Sequence, residues 1–197
     1  MSDGLKLDFG CGPNPLPGYV GVDRFPFSGK VAHVLDVTAR KPTRKGDRWG
    51  RFKPWPWRDS SVAAANASHF LEHLTNLDDR WERVWFFNEL WRVLVPGGTA
   101  TIVLPHWCSA RYYGDPTHKE PWSEMAFFYL DRQWRQQQAP HTDSETSPAG
   151  YSCDFTATWG YSLHPTVAVR NPEFQQFAVQ CYKEACQDMT ATLTARK

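Results

Sequence analysis

Residues 5–23 read LKLDFGCGPNPLPGYVGVD, and the reading of this stretch decides the fold. Leu5 to Phe9 is an apolar-rich run with strand character. It breaks on Gly10-Cys11-Gly12 and a Pro/Asn cluster. A second short run, Tyr19 to Val22, then ends on Asp23. Strand, glycine turn, strand, acid is how an open α/β sheet holds a nucleoside. Glycine lets the backbone approach a ligand closely because no Cβ intervenes. An acid at the tip of the next strand can accept both hydroxyls of a ribose. The dinucleotide fingerprint fits poorly: only Gly10-x-Gly12 is present, and the acid follows at about half the usual spacing of ~20 residues. That leaves room for a turn or two of helix at most. A pyrophosphate would want a helix N-terminus at this point, whereas a ligand without phosphates would not. The alternative reading of two glycines alone is a tight turn with no ligand.

LDFGCGPNP resembles motif I of class I S-adenosylmethionine-dependent methyltransferases, and GVD resembles their second, acidic motif. The likeness continues downstream. SHFLEHL (68–74) resembles the segment that leaves the fourth strand of that family. ELWRVLVPGG (89–98), followed by TATIVL (99–104), resembles its helix, turn and fifth strand in the same order. The resemblance implies a three-layer Rossmann-like α/β fold with a sheet of about seven strands, mostly parallel with an antiparallel C-terminal strand. It implies S-adenosylmethionine, a nucleoside sulfonium without phosphate, as cofactor. The residues it assigns to that cofactor are Asp8, Gly10, Cys11, Gly12, Asp23, Arg24, Asp36, Val37, Ser68 and His69. The chain of 197 residues reads as one domain, 1–197, with a substrate-site insertion around 106–150.

Composition is that of an ordinary soluble globular protein, 41% hydrophobic and 22% charged, so a sizeable core is available. A net charge of +1 gives no global pull toward nucleic acid or an anionic membrane. Five cysteines, odd in number and without CxxC, argue for reduced thiols in the cytoplasm and against a disulfide framework or a zinc cluster. No signal peptide or membrane span is expected. Ten tryptophans suit either flat cleft walls or an aromatic core. The oligomeric state is left open.

Residues 40–58 are basic, with Trp49, Phe52, Trp55 and Trp57 interleaved. Such a pattern serves nucleic-acid contact, or equally a solvated loop with anchoring rings, which is the preferred reading. His69-x-x-Glu72-His73 matches the inverted zincin spacing, which would need a further ligand downstream. Since the surrounding motifs point to methyl transfer, no metal is expected. The strongest helical period runs over Asp78 to Leu94, with Leu77, Trp81, Val84, Trp85, Trp91 and Leu94 on its apolar face. Residues 136–150 carry no periodicity and read as a mobile loop or lid. Phe155 to Leu163 reads as a strand, Pro172 to about Cys186 as a helix, and the last ten residues as a strand.

Methyl transfer from a sulfonium is an in-line displacement in which alignment and exclusion of water matter most. A general base helps for a hydroxyl or a protonated amine. The catalytic candidates are His106 and His118, with His69 behind them and Asp115 as an orienting partner, because imidazole titrates near neutral pH. Trp107, Tyr112, Tyr113 and Trp122 are candidates for contact with the acceptor. No [DNS]-P-P-[FYW] follows the fourth strand, which argues against amino-methylation of DNA bases. A small-molecule acceptor methylated on O or N is the expectation. A nucleic-acid substrate and a non-catalytic binding module remain the alternatives.

Overall fold

The computed structural model describes residues 4–41, 50–77, 80–147 and 149–197. One sheet organises them. Its strands are β1 (Leu5–Phe9), β2 (Val20–Asp23), β3 (His33–Val34), β6 (Val62–Ser68), β7 (Leu94–Pro105), β8 (Phe155–Leu163) and β9 (Cys186–Ala195). A separate antiparallel pair, β4 (Arg40–Lys41) and β5 (Arg51–Phe52), lies between β3 and β6 in sequence. The sheet order is β3-β2-β1-β6-β7-β9-β8. β9 runs antiparallel to both its neighbours, so the other six strands point one way. The chain moves outward from β1 to β2 and β3, then returns to β6 on the other side of β1. That reversal opens a crevice at the carboxyl ends of β1 and β6, where open α/β sheets bind ligands.

One face of the sheet is apolar by strict alternation. Leu7, Phe9, Ala65, Ala67, Ala100, Ile102, Leu104, Met189, Ala191 and Leu193 all point to it and are buried. Against it packs α1 (Glu82–Val93), with Phe86, Phe87, Leu90 and Val93 fully buried. The Phe9 ring sits 4.7 Å from Trp55 and 5.5 Å from Phe86. Parallel crossovers are right-handed, so the β1–β2 and β2–β3 connections pass over the opposite face. Among the described residues they form turns and no α-helix, and the two outer layers are therefore unequal. Over β7 to β9 the second face carries Thr99, Thr156, Thr158, Thr190 and Thr192, all exposed.

The structure corrects the helix expected over Asp78 to Leu94. Asp78 lies outside the described residues. The helix begins at Glu82, after Trp81 in a left-handed conformation (φ 52°), which breaks any earlier turn and resets the helical phase. Leu77 and Trp81 are consequently exposed, and the buried stripe runs through Val84, Phe86, Phe87, Leu90 and Val93. The helix stops at Val93, one residue before the expected end at Leu94. Val62 pairs with Leu94 and Ala64 with Thr99, so Pro96-Gly97-Gly98 forms an irregularity within β7.

The segment after β7 contains three short helices, α2 (Ala110–Gly114), α3 (Met125–Phe128) and α4 (Arg132–Gln138). Residues 136–147, expected to be mobile, are tied down. Arg135, fully buried, donates from Nε to Asp143 Oδ2 (3.1 Å) and from its other nitrogens to the carbonyls of Tyr129, Tyr151 and Cys153. A guanidinium buried in this way holds the loop to the end of α3 and to the segment that leads into β8. The helix expected from Pro172 is α6 (Pro172–Cys181), preceded by α5 (Pro165–Ala168). Cys186, the expected end of that helix, opens β9 instead, and Phe174 and Phe177 are exposed and lie against Tyr182. No helix among the described residues is long and apolar enough to cross a membrane.

Candidate active site

The glycine bend closes on the second strand. Gly10 N donates to Val22 O (2.9 Å), and Gly12 N donates to Asp23 Oδ2 (3.0 Å). The other Asp23 oxygen accepts from Phe25 N (3.0 Å). Bend and carboxylate therefore form one unit at the carboxyl ends of β1 and β2. A carboxylate has about four acceptor positions, so capacity for a ligand's hydroxyls remains.

The two glycines serve different purposes. Both have positive φ, +65° at Gly10 and +56° at Gly12. A Cβ on Gly10 would lie 2.5 Å from the Phe70 ring, so packing alone demands glycine there. A Cβ on Gly12 would meet nothing within 4 Å. The open space above Gly12 is where a ligand can approach the backbone.

The remaining cofactor candidates divide by burial. Asp8 is buried, and each of its oxygens accepts from the protein, from Asn66 Nδ2 (2.7 Å) and from Leu16 N (2.8 Å), so it anchors the bend from inside. Cys11 sits between Asp8 and Asp23; burial and then these two carboxylates push its thiol up to about 11. Arg24 is exposed and lies over the Phe25 ring. Asp36 is exposed at the end of β3 and accepts from both the N–H and the hydroxyl of Thr38. Val37 is the exception. Its side chain is in the core and its carbonyl accepts the indole N–H of Trp55 and of Trp85, so it turns away from the crevice. Ser68 and His69 are exposed at the end of β6, where His69 N donates to Val103 O (2.8 Å). His69 Nδ1 lies 3.4 Å from Glu72 Oε1, and that carboxylate holds the imidazole above its ordinary pKa.

The catalytic candidates fall into two separate clusters. His118 and Asp115 are brought together, with Nε2 to Oδ2 at 3.7 Å, and His118 stacks on Tyr112. Asp115 is held below the usual carboxylate range by the hydroxyl and N–H of Thr117. His106 is fully buried, its Nδ1 3.0 Å from Cys108 Sγ and its Nε2 3.1 Å from Glu124 Oε1. With both ring nitrogens engaged inside the protein, His106 has no face toward an acceptor from solvent. Burial alone would raise Glu124, but hydrogen bonds from His106 and Tyr161 outweigh it and bring the carboxyl down to about 2.

The aromatic candidates also separate. Trp122 is buried and lines a cavity of about 460 Å³ with Trp81, Arg83, Met125, Tyr129 and Tyr151, between the start of α1 and the insertion. Trp107 borders a second cavity of about 430 Å³ with Glu124 and Gln180. Tyr112 is buried, which raises its phenol pKa, and Tyr113 is exposed. Sequence reasoning missed Glu124 and Tyr161, which carry no motif and meet His106 only through the fold.

In the basic stretch 40–58, residues 42–49, including Trp49, lie outside the described residues. The described rings there are anchors. Trp55 is in the core, and Phe52 stacks on Trp85 at 5.0 Å with the Arg40 guanidinium over its ring.

No protein-family model matches this sequence, and no curated protein does. Solved structures do. A SAM-dependent methyltransferase from Archaeoglobus fulgidus aligns with a TM-score of 0.56 at 15% identity, over 98% of this chain and 86% of that one. Another, from Thermotoga maritima, aligns with a TM-score of 0.51 at 13% identity, over 100% of this chain and 84% of that one. The fold is therefore that of the class I methyltransferases, in strand number, direction and the placing of the antiparallel strand.

Proposed function

We propose that this protein is an S-adenosylmethionine-dependent methyltransferase that acts on an oxygen or nitrogen of a small molecule. The observation that carries the reading is the joined unit of Gly12 and Asp23, with open space over Gly12, at the carboxyl ends of β1 and β2. In this reading Asp23 accepts the ribose hydroxyls. The 10–12 bend faces the amino-acid tail, and the exposed Asp36 borders the adenine. S-adenosylmethionine supplies an already activated methyl group. The chain's own residues then align the acceptor and exclude water. The 460 Å³ cavity, walled by aromatic side chains from the insertion, is of a size suited to a small organic acceptor. His118, oriented toward Asp115, is the proposed proton acceptor.

The test is calorimetric titration of S-adenosylmethionine and S-adenosylhomocysteine into wild type and Asp23→Asn. Wild type is expected to bind both. The substitution, which keeps shape but removes the charge, should weaken both by tenfold or more. No binding to wild type, or equal binding to the variant, refutes the assignment.

A further inference from the structure

Glu72 is an anomaly in the interior. It is 2% exposed, and neither carboxylate oxygen accepts a hydrogen bond among the described residues. Burying a carboxylate without partners is strongly unfavourable, so such a group normally faces a cation. The nearest basic atoms are His69 Nδ1 at 3.4 Å and His118 Nε2 at 3.9 Å. One ligand atom each from Glu72, His73 and His118 lies within 4.8 Å of the others.

The surroundings orient both imidazoles. His118 Nδ1 donates to Tyr112 O at 2.8 Å, a tautomer that leaves the Nε2 lone pair on the Glu72 side. Binding of the second ring nitrogen to a backbone carbonyl is how metal-ligating histidines are held. His73 Nδ1 lies against Thr117, 3.1 Å from its hydroxyl and 3.4 Å from its carbonyl, and the two rings meet edge to face at 4.9 Å. The fold locks the two chain segments in place. Lys119 N donates to Glu72 O (2.8 Å), and the Glu120 carboxylate accepts from the N–H groups of Asn76 and Leu77 and from the Thr75 hydroxyl. The carboxylate lies inside and the two histidines are partly open, so the cluster has a closed floor and an accessible side.

We propose that Glu72, His73 and His118 form a binding site for a divalent first-row transition-metal ion. Two imidazoles and one carboxylate suit such an ion. Mg²⁺ and Ca²⁺ prefer oxygen ligands. This set differs from the inverted zincin pattern. Residues 71–73 form a single 3-10 turn, and the second histidine comes from the insertion rather than from His69. The remaining coordination positions are free for water or for an oxygen of a bound molecule. The site begins two residues beyond Phe70, the ring that packs over Gly10. When the ion is bound, His118 serves as ligand and not as proton acceptor. The assignment stands whether or not the chain transfers methyl groups.

The test uses the full chain freed of metal by chelation. Co²⁺ is titrated while its visible absorption is followed, Zn²⁺ is titrated by calorimetry, and thermal melts are recorded with and without Zn²⁺. Wild type should take up one equivalent of either ion and melt higher with Zn²⁺. Glu72→Gln and His118→Ala should bind at least tenfold more weakly, and the Zn²⁺-dependent rise in Tm should vanish. Glu72→Gln removes a buried charge that accepts no hydrogen bond among the described residues, so its metal-free form should melt no lower than wild type, which separates loss of the site from loss of the fold. Absence of stoichiometric uptake by wild type, or undiminished uptake by Glu72→Gln, overturns the proposal. S-adenosylhomocysteine titrated in parallel keeps the two readings apart: loss of one binding event with the other intact refutes only the reading concerned.

Discussion

Alanine at Gly10 and alanine at Gly12 should have unequal consequences, although only Cys11 separates the two residues. Each substitution places a Cβ at positive φ, which costs about 1–2 kcal/mol. Each also lowers the entropy of the unfolded chain, which returns about 0.4–1 kcal/mol. At Gly12 nothing else changes, because the new methyl meets no atom within 4 Å. At Gly10 the methyl lies 2.5 Å from the Phe70 ring. That ring cannot swing away freely, since it packs on Phe86 at 5.5 Å. Overpacking of this kind costs about 1–3 kcal/mol more. Gly10→Ala should therefore lose on the order of 2.5 kcal/mol and Gly12→Ala on the order of 0.5–1 kcal/mol. For a chain of this length each kcal/mol lowers Tm by about 2–4 °C, so the expected falls are about 8 °C and about 2 °C. Thermal and urea unfolding followed by circular dichroism measure both. Calorimetry with S-adenosylhomocysteine then supplies the contrast. Folded Gly12→Ala should bind it at least tenfold more weakly, because its methyl occupies the space left for the ligand. Equal stability losses at the two positions, or wild-type affinity in Gly12→Ala, would show that the division between a packing glycine and a ligand glycine is mistaken.

Other predictions concern the insertion. Arg135→Ala leaves Asp143 buried without its partner, and a broken buried pair costs about 3–5 kcal/mol; urea unfolding measures this, and a loss under about 1 kcal/mol would contradict the tethering of residues 136–147. Replacing both members by Arg135→Met with Asp143→Leu should recover most of that loss, because no uncompensated charge then remains. Glu124 titrates at about 2 when folded, below its ordinary 4.5, so its contribution to stability is complete above about 4.5 and disappears as the pH falls toward 2. Denaturant midpoints measured from pH 5 to pH 2 should fall more steeply for wild type than for Glu124→Gln, and parallel curves would remove Glu124 from the argument.

The sequence by itself determined the elements whose signal is local. β1, the glycine bend and β2 follow from apolar runs broken by Gly10, Gly12 and the Pro/Asn cluster, and Asp23 falls where the bend needs an acceptor. Strands β8 and β9 show in their alternation of apolar residues with threonine. Such patterns survive because backbone sterics and side-chain alternation act between near neighbours. The phase of α1 did not, since a single left-handed residue at Trp81 shifted the buried stripe from Leu77 and Trp81 to Phe86 and Leu90. Burial of His106, the tie between Arg135 and Asp143, and the meeting of Glu72 with His118 were decided by tertiary structure alone. Each depends on which distant segments share one desolvated space, and the cost of an unpaired charge there is a property of that space rather than of any spacing along the chain.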